Sequence, residues 1–139
     1  MNSDPLSRSR VLVIDDDPDL QQLVIMLLNR AGIPTTSVGT AAEGIMMLNQ
    51  EDFELVILDL MLPDMDGLDL LQSLRQDVQF DQLSILILSA RADSEAISRA
   101  LKLGADGYLT KPYISLSLTQ RVTSLLAYKR GQAMPSESS

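Results

Sequence analysis

Three stretches of this chain are apolar at every position: Val11-Leu12-Val13-Ile14, Leu55-Val56-Ile57-Leu58 and Ile85-Leu86-Ile87-Leu88. A strand with one face in water alternates apolar and polar side chains. Runs this short, unbroken and rich in Val and Ile are expected where both faces of a sheet are covered, which means a parallel sheet between two layers of helices. Each run is followed by a polar residue: Asp15, Asp59 and Ser89 respectively. Parallel strands all end on the same edge of the sheet, so these residues are predicted to meet there.

The intervening segments supply the helices. Leu20, Leu23, Val24, Leu27 and Leu28 recur at helical spacing, and Gly32 ends the pattern. Thr40-Ala41-Ala42-Glu43 is a capping box that opens a second helix through about Gln50. Leu68, Leu71 and Leu74 mark a third helix. Asp93 or Ser94 caps a fourth, along Ala96, Ile97, Ala100, Leu101 and Leu103, with Gly104 as its stop. Leu118, Val122, Leu125 and Leu126 give a fifth. Weaker strands fit Thr35 to Val38 and Gly107 to Leu109. Strand and helix thus alternate five times. Right-handed crossovers make this an α/β, doubly wound (βα)5 parallel sheet, for which the flavodoxin-like strand order 2-1-3-4-5 is the natural choice. The chain has 139 residues, 45% of them hydrophobic, which suits one core. The domain is assigned to residues 10–130. Residues 1–9 form an N-terminal extension, and 131–139, small and polar, form a tail or the start of a linker.

Composition narrows the chemistry. There is no Cys, so no disulfide framework or thiol chemistry, and no His, which removes Ser–His triads, most zinc sites and a phosphohistidine carrier role. Carboxylates, hydroxyls, Lys or a hard metal ion remain. With a net charge of −8 the domain is a poor direct ligand for nucleic acid, whose phosphates need Lys and Arg. No apolar run approaches the roughly 18–20 residues of a membrane span, and Met1 to Arg10 hold no apolar signal core. A cytoplasmic domain that binds neither nucleic acid nor membrane is expected.

Polar residues follow four of the five strands: Asp15, Asp16 and Asp17 after the first, Asp59 after the third, Ser89 after the fourth, and Lys111, just before Pro112, after the fifth. Carboxylates gathered this closely repel unless a cation sits among them. Mg²⁺, which takes oxygen ligands in octahedral geometry, suits two carboxylates and a phosphate oxygen. Lys111 is a flexible point charge for a phosphoryl oxygen, Ser89 a hydroxyl donor, and Asp59 a candidate nucleophile of the aspartyl-phosphate kind. Metal and Lys would together stabilise the charge on a phosphoryl group in transfer.

The segments Val-Leu-Val-Ile-Asp15-Asp16-Asp17, Leu-Asp59-Leu-Met-Leu-Pro-Asp-Met-Asp-Gly67, Leu-Ser89-Ala90 and Gly104-Ala-Asp-Gly-Tyr108-Leu-Thr-Lys111-Pro112 resemble the receiver domain of response regulators. The resemblance runs from about Arg10 to Lys129. It implies that Asp59 is the phosphoacceptor, fed by a sensor histidine kinase, a phosphotransfer protein or a small phosphodonor. Asp16 would bind Mg²⁺ (Mn²⁺ substituting) directly, Asp15 mainly through water, and Met61 through its backbone carbonyl. Ser89 and Lys111 would bind the phosphoryl group. Ser89 and Tyr108 would form the switch pair, the hydroxyl moving toward the phosphate and the ring turning inward, to control an output domain or effector through the face made by the fourth helix, fifth strand and fifth helix. The Lys111–Pro112 bond would be cis. The protein would be no enzyme beyond catalysing its own phosphorylation and dephosphorylation.

Other readings attach to the same residues. Asp17 matches no ligand position of the family and reads as a helix cap. The Pro63 to Gly67 segment reads as a structural turn in which Gly67 allows a tight backbone path. Ile25 and Met26 fall off the core stripe of the first helix and are candidates for kinase docking. Met61 and Arg91 stand where the family controls attack by water, and neither positions one, so slow self-dephosphorylation is expected. Ile97 and Ser117 replace an Arg–Glu pair, and Gly107 an Asp facing Arg121, in a symmetric dimer through that same face known in one subfamily. A weak or altered dimer follows. A haloacid-dehalogenase-like phosphatase would use Asp15 as nucleophile and Asp17 as general acid, but it leaves the Asp59 segment without a purpose. A phosphorylation-independent interaction module would not need the intact acidic set.

Overall fold

The computed structural model describes residues 9–111 and 115–128. Along the chain lie β1 (Val11–Ile14), α1 (Pro18–Arg30), β2 (Thr35–Val38), α2 (Ala41–Gln50), β3 (Leu55–Leu58), α3 (Gly67–Gln76), a single 3₁₀ turn (Val78–Phe80), β4 (Ser84–Ser89), α4 (Ser94–Lys102), β5 (Gly107–Thr110) and α5 (Ser115–Ala127). The strands form one parallel sheet in the order β2-β1-β3-β4-β5, as the alternation of strand and helix predicts. The three unbroken runs are β1, β3 and most of β4, and every residue in them is buried.

Alternate strand residues feed two cores. Leu12, Ile14, Val56, Leu58, Ile85 and Ile87 pack with Leu48 of α2, Leu68, Leu71 and Leu74 of α3 and Ala100 of α4. Val11, Val13, Leu55, Ile57, Leu86 and Leu88 pack with Leu20, Val24 and Leu28 of α1 and Leu118 and Val122 of α5. Two stripe assignments need correction. Leu23 of α1 and Leu101 of α4 are exposed, not core; each sits at the border of its helix's apolar arc, where a turn of 100° per residue carries it past the sheet. Met26 is exposed and Ile25 half-buried, as their place off the stripe predicts.

The helix starts are capped as the sequence suggests. Asp17 accepts from the N–H groups of Asp19 and Leu20, with Pro18 in the first turn. Thr40 accepts from Glu43 N–H, and the Glu43 carboxylate reaches back to Gly39 N–H. Asp93, not Ser94, caps α4 through Ala96 N–H. Gly32 and Gly104 lie at φ 79° and 111° just past α1 and α4, in the left-handed region that a helix stop requires.

Candidate functional site

The sheet ladder continues one residue beyond three of the strands. Asp15 N–H donates to Val38 O (3.1 Å), Asp59 N–H to Ile14 O (3.0 Å) and Lys111 N–H to Ser89 O (2.9 Å). The site residues are thus held in register by the same bonds that build the sheet, at the point where the chain order reverses between β1 and β3.

Their side chains converge. Asp15, Asp16 and Asp59 place carboxylate oxygens within 4.8 Å of one another. Asp15 and Asp59 are buried and Asp16 is exposed. Lys111 Nζ lies 2.9 Å from Asp15 Oδ2 and 3.1 Å from Asp59 Oδ2. One cation thus faces a cluster of three anions, an imbalance that hard oxygen donors resolve by taking up a divalent ion. Burial pushes the Asp15 carboxyl above its usual range, although Asp17 N–H and the Lys111 ammonium pull it back. Burial alone would lower the Lys111 pKa, but the bond to Asp15 and the charges of Asp15 and Asp59 hold it above the ordinary value, so Lys111 is cationic.

Asp59 Oδ1 accepts from Met61 N–H at 3.1 Å, which folds the β3–α3 loop back over the acid. Gly67 N–H donates to Leu60 O at 2.8 Å, and a Cβ at Gly67 would stand 2.4 Å from Leu60 Cα and 2.5 Å from Asp59 O. Only glycine permits that approach, as the turn reading of this segment anticipates.

Ser89 and Tyr108 meet at one backbone unit. The fully buried Ser89 Oγ accepts from Arg91 N–H at 3.2 Å, and the Tyr108 hydroxyl donates to Arg91 O at 2.7 Å. Burial raises the Tyr108 pKa. Ser89 does not cap α4. The Lys111–Pro112 bond lies outside the described residues, as do the tail at 131–139 and residues 1–8 of the N-terminal extension. The Asp17 carboxylate caps α1 through Oδ1, the role its place in the sequence suggests.

Sequence reasoning passed over three contributors. The Gln21 carboxamide donates to the backbone carbonyls of Asp15 and Val38 (3.0 Å to the latter), bracing the first acidic loop. Asp64 accepts from the N–H groups of Ala41 (2.9 Å) and Ala42 (3.0 Å) at the start of α2. Asp66 caps its own helix, α3, through Leu68 N–H. Gln21 reaches Val38 across 17 positions and Asp64 reaches Ala41 across 23, where no local pattern points to the partner.

Residues 11–123 match the model of the response regulator receiver domain. The chain is 35% identical over 130 residues to the DNA-binding response regulator MtrA of Mycolicibacterium smegmatis, covering 94% of this chain and 55% of that protein. It is 37% identical over 116 residues to the transcriptional regulatory protein GltR of Pseudomonas aeruginosa, covering 84% and 48%. Among solved structures it superposes on the receiver domain of the Francisella response regulator 1452 with a TM-score of 0.79 at 34% identity, over 86% of this chain and 98% of that one. A CheY-like receiver domain protein from Methanospirillum hungatei gives the same TM-score at 28% identity, over 86% and 94%. The chain belongs to the response regulator receiver domain family, the phosphoacceptor switches of two-component signalling. It spans about half the length of the regulators MtrA and GltR. Among the described residues no helix is long and apolar enough to cross a membrane.

Proposed function

We propose that Asp59 is the residue that accepts the phosphoryl group. The observation that carries this reading is its place: a buried carboxylate at the switch point, 3.1 Å from Lys111 Nζ and beside two further carboxylates. The donor is a phosphohistidine of a sensor kinase or phosphotransfer protein, or a small acyl phosphate. A carboxylate oxygen of Asp59 bonds to phosphorus while the bond to the donor breaks and its electron pair leaves with the donor. Lys111 steadies the phosphoryl oxygens, and Ser89, whose Oγ accepts from Arg91 N–H, still has its own hydrogen to donate.

The clustered carboxylates of Asp15, Asp16 and Asp59 fit Mg²⁺ or Mn²⁺; Asp16, Asp59 and the Met61 carbonyl would hold the ion, and Asp15, bonded to Lys111, would act mainly through water. Such an ion supplies neutralising charge for the phosphoryl oxygens. Ser89 and Tyr108 read the phosphorylated state through their shared hold on Arg91, altering the α4-β5-α5 face for an output domain or effector. Arg121 lies over Gly107, where a Cβ would stand 2.8 Å from its guanidinium; this arrangement supports a weak or altered symmetric dimer. The domain is taken to be residues 10–130 of a cytoplasmic regulator whose only catalysis is on its own phosphate. With acetyl phosphate and Mg²⁺ the chain gains one alkali-labile phosphoryl group, and Asp59→Asn gains none. Labelling that persists in Asp59→Asn, with no rescue at a neighbouring acid, overturns the assignment.

A further inference from the structure

The β3–α3 loop carries Asp59 at its start and the Met61 carbonyl two residues on, yet it is built mainly on itself. Gly67 N–H closes on Leu60 O, and Met61 bridges to Asp66. Asp64 reaches out of this closed unit. Its two oxygens accept one hydrogen bond each from Ala41 N–H and Ala42 N–H. These amides belong to the first turn of α2, where backbone N–H groups have no partner inside the helix. Thr40 serves the amide of Glu43, so the helix is capped by two acceptors, one local and one from a loop 23 positions away. The two N–H bonds hold the Asp64 carboxyl below its usual range, so it stays an acceptor at neutral pH.

A bidentate grip on two adjacent amides fixes direction as well as distance. We propose that Asp64 is a positioning residue for the divalent-cation site, clamping the β3–α3 loop to the start of α2 so that the Met61 carbonyl is held ready for the ion. The inference rests on the reading of Met61 as a ligand. A ligand held in place by outer contacts binds more tightly than one that must be ordered on binding. Coupling of this kind is reciprocal: if the clamp favours the ion, the ion favours the clamp.

The test uses Mg²⁺ alone, followed by calorimetry, with amide hydrogen exchange as a second readout. Asp64→Ala weakens Mg²⁺ binding by about tenfold, the low end for loss of a ligand-orienting partner. The loss persists in molar salt, where screening within about 3 Å removes a bare charge effect of an exposed carboxylate. Thr40→Ala, which removes the local cap and leaves the loop alone, lowers thermal stability without a comparable loss of Mg²⁺ affinity. In the wild-type chain, saturating Mg²⁺ slows exchange of the Ala41 and Ala42 amides. Unchanged affinity in Asp64→Ala, a loss that vanishes in high salt, or no Mg²⁺ effect on those amides each overturns the inference. Failure of the wild-type chain to bind Mg²⁺ is a different result, since it removes the metal site itself.

Discussion

The two ends of the strands handle charge in opposite ways. At the N-terminal end, unlike charges are matched. Arg75 reaches from α3 to Asp106 Oδ2 (2.8 Å) and to the backbone carbonyls of Gly104 (2.9 Å) and Phe80 (3.0 Å), while Asp106 also accepts from Ile85 N–H. Arg10 holds Glu54 at 2.7 Å and 2.9 Å. At the C-terminal end three carboxylates face one lysine. A matched, largely covered pair such as Arg75–Asp106 is a structural joint. An unmatched cluster costs stability and is retained where a ligand supplies the missing charge. Charge balance thus separates joint from site, although both are built from Asp, Lys and Arg at strand ends.

The largest effect on stability is expected at the joint. Arg75→Ala takes the guanidinium from the Asp106 carboxylate, which keeps its bond from Ile85 N–H, and from two carbonyls, and denaturant unfolding should show a loss of about 3–5 kcal/mol. Mg²⁺ should restore none of it.

Lys111→Ala should cost less, about 1–3 kcal/mol, because the site opens to water at Asp16. This loss should shrink as Mg²⁺ is added, because an ion that binds only the folded chain supplies the missing charge. If Mg²⁺ rescues both variants equally, or neither, the contrast between joint and site fails.

Arg10→Ala sharpens the same comparison from below. The Arg10–Glu54 pair is matched but more than a third exposed on both sides, so water screens it and the loss should be about 0–1 kcal/mol. A loss approaching that of Arg75→Ala would show that pairing matters more than burial.

The smallest effect concerns pH. The N–H of Ala96, and then Arg91, hold the Asp93 carboxyl below its usual range. A carboxyl lowered in the folded state stabilises fully above its unfolded value, about 3.9, and the contribution is lost as pH falls through the lower folded value. The stability gap between wild type and Asp93→Ala should therefore be constant near neutrality and close in acid. A gap that widens on acidification would contradict the capping role.

Much of this was legible in the sequence because it is local or periodic. Unbroken apolar runs declared strands buried on both faces, Asp17 and Thr40 declared their helices, and a polar residue after four of the five strands declared the edge where the site forms. Stripe borders were less legible. Leu23 and Leu101 have the right residue type at nearly the right spacing, but helix rotation against the sheet decides their burial.

The sequence by itself determined the element order, the sheet type, the members of the acidic site and the family resemblance, because each follows from residue type, period and chain order. Only the tertiary structure decided which polar groups are joints and which are free to act. Arg75 with Asp106 and Asp64 with α2 join residues 22 to 31 positions apart. Nothing local specifies such partners. They are fixed when the sheet register and the packing of helices on it bring distant segments together, where an orphan N–H or a half-buried charge meets the partner within reach.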